Sequence, residues 1–153
     1  MAHSDAANIA LLLWLYFLQG LPIGISASVS MLMTSRGAGF AEQATFGLCS
    51  LPFSFKLLWA PAVDALHTTR FGLGRRKTWI IPTQFIIGAI LLVLAGRVDT
   101  LLGESPDGIA RPIEVNALAA SFFTLYLLCA TQDIAVDAWA LVLLRPENGA
   151  FAK

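Results

Sequence analysis

Asp133 and Asp137 stand four residues apart in the run CATQDIAVDAW, and FKLLWAPAVDAL holds one lysine, Lys56, with Asp64 near its end. Residues four apart share one helical face, so the two carboxylates stack, with Gln132 beside them. Like charges at that spacing repel. The pair needs either a cation against it or a proton on one member. That chemistry is charge pairing and ion or proton exchange, not bond making. There is no Ser/His/Asp set and no metal-ligating cluster, and His3 and His67 fall in terminal and loop positions. The chain is therefore expected to be no enzyme and to hold no metal or cofactor. A second constellation is Asp64 followed by Gly74, Arg75, Arg76 and Lys77. Arginine binds a carboxylate through two parallel donors, so these residues with Asp137 could clamp helix ends together as a gate. The third is Gln19-Gly20-Leu21-Pro22-Ile23-Gly24. Its Pro removes a backbone donor and its glycines either allow close helix packing or form a hinge beside a polar cavity.

The elements that must position these residues are membrane helices. Of the 153 residues, 57% are hydrophobic and only 13% charged, well outside the soluble average of about 25% charged. Mean hydropathy is +0.71. The zero formal net charge hides a segregated distribution, and no basic stripe suggests a nucleic-acid partner. About 20 apolar residues cross the hydrocarbon as a helix. The apolar runs predict an all-α, polytopic transmembrane bundle of four spans, at about residues 9–33, 44–66, 78–96 and 115–144, forming a single domain with the lipid bilayer as its solvent. Pro52 and Pro61 are expected to bend the second span. Cys49 and Cys129 lie inside apolar runs and read as small hydrophobic residues. The first run is too long for a cleaved signal peptide and lacks a basic segment before it.

Orientation follows from the basic segment. Arg70, Arg75, Arg76 and Lys77 lie between the second and third spans, whereas 97–114 holds Asp99, Glu104, Asp107 and Glu114 against Arg97 and Arg111. Basic residues beside a span stay on the cytoplasmic side, so 67–77 is expected in the cytoplasm, 97–114 opposite, and both termini cytoplasmic. The second and fourth spans then run the same way. At ~1.5 Å per residue Lys56 and Asp133 are offset in depth by roughly 9 Å, a gap a long side chain partly covers. A charge at mid-membrane costs at least about 2.5–3.5 kcal/mol, so Lys56 is expected to be paired or functional. Gln19, Lys56, Gln132 and Asp133 are the candidates for a substrate or coupling-ion path, with Asp133, the deeper carboxylate, a candidate for cavity lining or proton coupling. Asp64, Arg75, Arg76, Lys77 and Asp137 are the candidates for a cytoplasmic gate, and Gly20, Pro22 and Gly24 for a hinge.

Asp64 with Gly74-Arg-Arg-Lys77, and an acid near the cytoplasmic end of the fourth span, resembles the loop motif of the major facilitator superfamily, although the segment between Asp and Gly is longer here. Five blocks in order sharpen this: Gln19-Gly-Leu-Pro22; Phe55-Lys56-Leu-Leu-Trp59-Ala-Pro61-x-x-Asp64; Gly74-Arg-Arg-Lys77-x-Trp79; Pro82-Thr-Gln84; and Thr131-Gln-Asp133-Ile-Ala-Val-Asp137-x-Trp139. Together they resemble the acetyl-coenzyme A transporters of the endoplasmic reticulum membrane, with bacterial muropeptide permeases as related alternatives. Arg145-x-Glu147-Asn148 leans to the former. The resemblance implies a secondary transporter with acetyl-coenzyme A as substrate, driven by proton symport or by antiport. That superfamily has two halves of six spans, so four spans imply a portion of a larger transporter that needs its remaining helices. A peptide-sugar permease and a four-span membrane scaffold without transport are the competing readings.

Overall fold

The computed structural model describes residues 2–66, 74–104 and 111–143. All regular structure among them is helical. Helix α1 is Ala2–Ser35, α2 is Phe40–Gly47, α3 is Leu51–Phe55 and α4 is Ala60–Ala65. Helix α5 is Gly74–Ala95, α6 is Val98–Leu101 and α7 is Val115–Leu143. Three helices are long and apolar enough to cross a bilayer, over Ala6–Ser35, Lys77–Ala95 and Val115–Leu141.

The run predicted as the second span is divided. Between α2 and α3 lies a 3-10 turn at Leu48–Ser50, and between α3 and α4 another at Lys56–Leu58. Proline explains the second break. Pro61 lacks an N–H, and its ring crowds the carbonyl four residues back, so the α ladder stops across Lys56–Leu58. Trp59 takes φ −110° and ψ 0°, outside the regular helix. Proline does not always break a helix here, since α1 and α5 continue through Pro22 and Pro82.

Helix α7 is the axis of the bundle, with 44% of its apolar window buried against 28% for α1 and 22% for α5. Partners climb α7 in a consistent order. The Phe46 ring meets Phe122 edge-on at 5.4 Å and Phe53 meets Tyr126 at 5.5 Å. Lys56 reaches Asp133, and Val63 packs in one cluster with Ile134, Val136 and Ala140. The interrupted run 40–65 is therefore parallel to α7. Helix α1 is antiparallel, because Ser26 meets Tyr126 whereas Tyr16 meets Asp137. Helix α5 is antiparallel too, with Ile80 in the cluster of Ala140 and Leu94 in that of Leu118. Large apolar side chains such as Trp14, Leu57, Leu58, Phe85 and Leu92 point outward, as a lipid-facing surface requires.

Cys49 and Cys129 are free and buried in the same core cluster, as small hydrophobes. The end opposite the basic segment is clasped. Arg36, just past α1, donates to the Leu102 carbonyl at 2.9 Å and pairs with Glu104. Gln43 of α2 donates to the Ser30 carbonyl at 3.1 Å and to Thr34 Oγ1 at 2.8 Å, fastening α2 to α1.

Candidate functional site

Lys56, Asp133 and Asp137 converge between α1, the interrupted run and α7. Lys56 is carried on the 3-10 turn, where the broken ladder frees its backbone from the α spacing. Its Nζ donates to Asp133 Oδ2 at 2.5 Å and stands 3.7 Å from Asp137 Oδ2. One ammonium thus faces both carboxylates, which resolves the repulsion their spacing creates. The Asp133 side chain is 16% exposed, that of Lys56 31% and that of Asp137 50%. Exposure within the cluster rises toward the end of α7. Relative to the middle of the apolar window, Asp133 is displaced by about 7 Å and Asp137 by about 13 Å along the axis.

Helix α1 supplies two polar partners. Gln19 is buried against Asp133. With its amide nitrogen toward the carboxylate it donates to Oδ1 at 3.2 Å and its oxygen accepts from the Asp133 backbone N–H at 3.1 Å. The Tyr16 hydroxyl donates to Asp137 Oδ1 at 2.6 Å. Tyr16 is a residue the sequence reading missed. The available signal was its position three residues before Gln19, which puts both on one helical face. Deeper in the bundle, fully buried Gln132 donates from Nε2 to Gln84 Oε1 at 2.8 Å. Gln132 therefore faces α5, not the charged cluster, and its own Oε1 has no partner among the described residues. Trp59 Nε1, beside the Lys56 turn, is a buried donor likewise unpartnered.

The other expected residues fall as follows. Arg75, Arg76 and Lys77 belong to the first turn of α5 and not to a loop. Cations at a helix N-terminus oppose the helix dipole, so their placement needs a reason outside the helix, such as the membrane interface. The side chains of Arg75 and Arg76 lie outside the described residues, and the Lys77 side chain is exposed. Asp64 is on α4, next to Val63, which packs against the end of α7 that carries Asp137. Pro22 is buried within α1. A Cβ built on Gly20 or Gly24 meets nothing within 4 Å, so no neighbouring helix presses on either glycine among the described residues. No group of His, Cys, Asp and Glu there is placed to hold a metal ion.

Comparison with known proteins places this geometry in a family. Residues 8–153 match the family described as acetyl-coenzyme A transporter 1. An uncharacterized protein of Schizosaccharomyces pombe is 37% identical over 95% of the chain, and an uncharacterized membrane protein of Saccharomyces cerevisiae 35% over 99%. The anhydromuropeptide permease of Escherichia coli is 32% identical over 94%. The chain spans 26%, 29% and 27% of the lengths of these relatives. No solved structure matches. With three apolar helices of spanning length and a match over nearly its whole length, this chain is an integral membrane protein and belongs to the acetyl-coenzyme A transporter family.

Proposed function

We propose that this chain is the N-terminal helical unit of a secondary transporter that moves acetyl-coenzyme A across the endoplasmic reticulum membrane. The observation that carries the reading is the charge cluster of Lys56, Asp133 and Asp137, built between three elements inside a bundle of lipid-facing helices. Intramembrane charges are expensive and mark ion and substrate paths. Family membership supports acetyl-coenzyme A as the substrate. The run 40–65 acts as the second span: its contacts climb α7 from Phe122 to Ala140, a rise of roughly 27 Å. Further helices complete the path, the matched relatives being much longer than this chain.

Acetyl-coenzyme A carries several phosphate charges. Lys56 is already committed to Asp133 in this conformation, so a phosphate that reached it would have to compete with that carboxylate. Vesicles holding the full-length protein are expected to take up radiolabelled acetyl-coenzyme A saturably, with unlabelled acetyl-coenzyme A competing. Uptake no greater than that of empty vesicles would remove acetyl-coenzyme A as the substrate. A second reading is favoured by the Escherichia coli relative, which is an anhydromuropeptide permease. Labelled anhydromuropeptide offered to the same vesicles separates the two.

We further infer that the basic start of α5 is cytoplasmic, with the start of α1 and the end of α7 on the same side, and that Asp64, Arg75, Arg76 and Asp137 close that side as a gate. Support comes from the charge asymmetry and from the packing of Val63 and Ile80 with Ala140, which brings the ends of α4, α5 and α7 together. One labelling experiment addresses both points. A single Cys at Ser105 is expected to react from the non-cytoplasmic side only. In an Arg75→Lys, Arg76→Lys background that sidedness should persist while uptake falls several-fold, because Lys keeps the charge and loses the two-pronged geometry. Normal uptake by the correctly oriented double variant excludes the gate, and labelling from the cytoplasm excludes the orientation.

A further inference from the structure

The charged cluster has a sum that is not zero. With both carboxylates ionised and Lys56 protonated it carries one net negative charge, in a bundle whose outer surface is apolar. A single proton neutralises it. Two carboxylates are available, and their surroundings differ. Asp133 accepts from two donors on other elements, Lys56 Nζ at 2.5 Å and the Gln19 amide at 3.2 Å. Among the described residues Asp137 has one, the Tyr16 hydroxyl at 2.6 Å, because 3.7 Å to Lys56 is too long for a hydrogen bond. Asp137 is also the reachable one, with half its side chain exposed against 16% for Asp133.

Resting on the transporter reading above, we propose that Asp137 is the proton-loading carboxylate of this site and Lys56 the ammonium whose position reports its state. The ionised Asp137 shares Lys56 with Asp133. A proton on Asp137 ends that attraction, and Lys56 settles wholly on Asp133. The neutral carboxyl gains a donor of its own, so its contact with Tyr16, which can also accept, reorganises. Lys56 rides on the 3-10 turn beside Trp59, at the break in the run 40–65, so the shift acts on the least regular part of that span. The charged and titratable groups facing Asp137 among the described residues are Tyr16 from α1, Lys56 from the 3-10 turn and Asp133 from α7 itself. Helices α4 and α5 bring Asp64 and Lys77 to the same end of the bundle. Coupling is thereby moved from Asp133, where the sequence pattern put it, to the carboxylate one turn later.

Loss of loading in one variant cannot assign the proton, since removing either carboxylate leaves Lys56 to neutralise the other. The contact with Tyr16 can, because of the two carboxylates Tyr16 is hydrogen-bonded to Asp137. The full-length protein in liposomes is exchanged between neutral and acidic buffer while infrared difference spectra follow the carbonyl stretch of a protonated carboxyl. A band that grows on acidification is expected in the wild type. It should disappear in Asp137→Asn and shift in frequency in both Tyr16→Phe and Asp137→Glu, two changes that keep the bulk of the side chain. No acid-dependent band in the wild type, a band retained in Asp137→Asn, or a band unmoved in Tyr16→Phe and Asp137→Glu overturns the proposal. The measurement needs no substrate. A failure of acetyl-coenzyme A uptake therefore leaves the band standing, and an absent band leaves uptake standing.

Discussion

Replacing Lys56 with Met in the full-length protein is expected to cut transport by about 30- to 150-fold and to lower its thermal midpoint. The variant removes the cation and keeps most of the side-chain bulk. Asp133 is then left largely buried with only the Gln19 amide and its own helix for company, and Asp137 repels it from one turn away. Breaking a fully buried pair by deleting one partner costs about 3–5 kcal/mol. Lys56 is 31% exposed and Asp133 16%, so water screens part of the loss and about 2–3 kcal/mol is the better expectation. If that energy is used in the transport step, the stated rate factor follows from about 1.4 kcal/mol per tenfold. Adding Asp133→Asn should restore most of the stability, because the orphaned charge is gone, yet transport should stay lost, because the site no longer has a lysine to move. Differential scanning fluorimetry and vesicle uptake on the two variants decide the matter. A single variant with wild-type uptake would mean that Lys56 is a structural cation only.

Gly103→Ala is expected to destabilise the protein by about 3 kcal/mol or more, at the top of the range for one substitution. Gly103 has φ +85°, which alone costs a residue with a Cβ about 1–2 kcal/mol. A Cβ there would also sit 2.2 Å from the Arg111 carbonyl oxygen and 3.1 Å from its carbon. That neighbour is backbone and is tied in place. Arg111 N–H donates to the Gly103 carbonyl at 3.0 Å, and Glu114 N–H donates to Leu101 at 2.8 Å, just before α7 begins. Pushing it away disturbs Leu102 and Glu104, which Arg36 uses to clasp the end of α1. Gly37 gives the control, with φ +87° and nothing within 4 Å of a built Cβ. Gly37→Ala should cost about 1–2 kcal/mol, the conformational share alone. Equal shifts in the thermal midpoints of the two variants would show that the contact with Arg111 contributes nothing.

Much of the site was legible because membrane helices leave few polar residues to choose among. Asp133, Asp137 and Lys56 stand out against apolar neighbours, and a spacing of four puts both acids on one face whatever surrounds the helix. That Lys56 lies at a depth Asp133 can share was also within reach. The roughly 9 Å offset assumed an α-helix starting near residue 44, whereas the run starts at Phe40, worth roughly 6 Å, and the 3-10 turn at Leu48–Ser50 adds about 0.5 Å per residue, carrying Lys56 further along α7. Gln132 shows the limit. It neighbours Asp133 in sequence, but adjacent positions on a helix point about 100° apart, and the structure turns it toward Gln84.

The sequence by itself determined the apolar runs, the helical class, the lone intramembrane lysine and the stacked acids, because hydrophobic length and the 3.6-residue period are local properties. It did not determine that the run 40–65 would break at Lys56–Leu58 while α1 and α5 pass through their prolines unbroken, since a proline removes a donor and the surrounding packing decides how the helix absorbs the loss. Only the tertiary structure decided that Tyr16 and Gln19 serve different carboxylates and that one lysine is shared unequally between two acids. Those are relations between residues 77 to 121 positions apart. They are set by the antiparallel register of α1 and the parallel register of the run 40–65 on α7, which follow from packing apolar surfaces together and not from the pattern of any one segment.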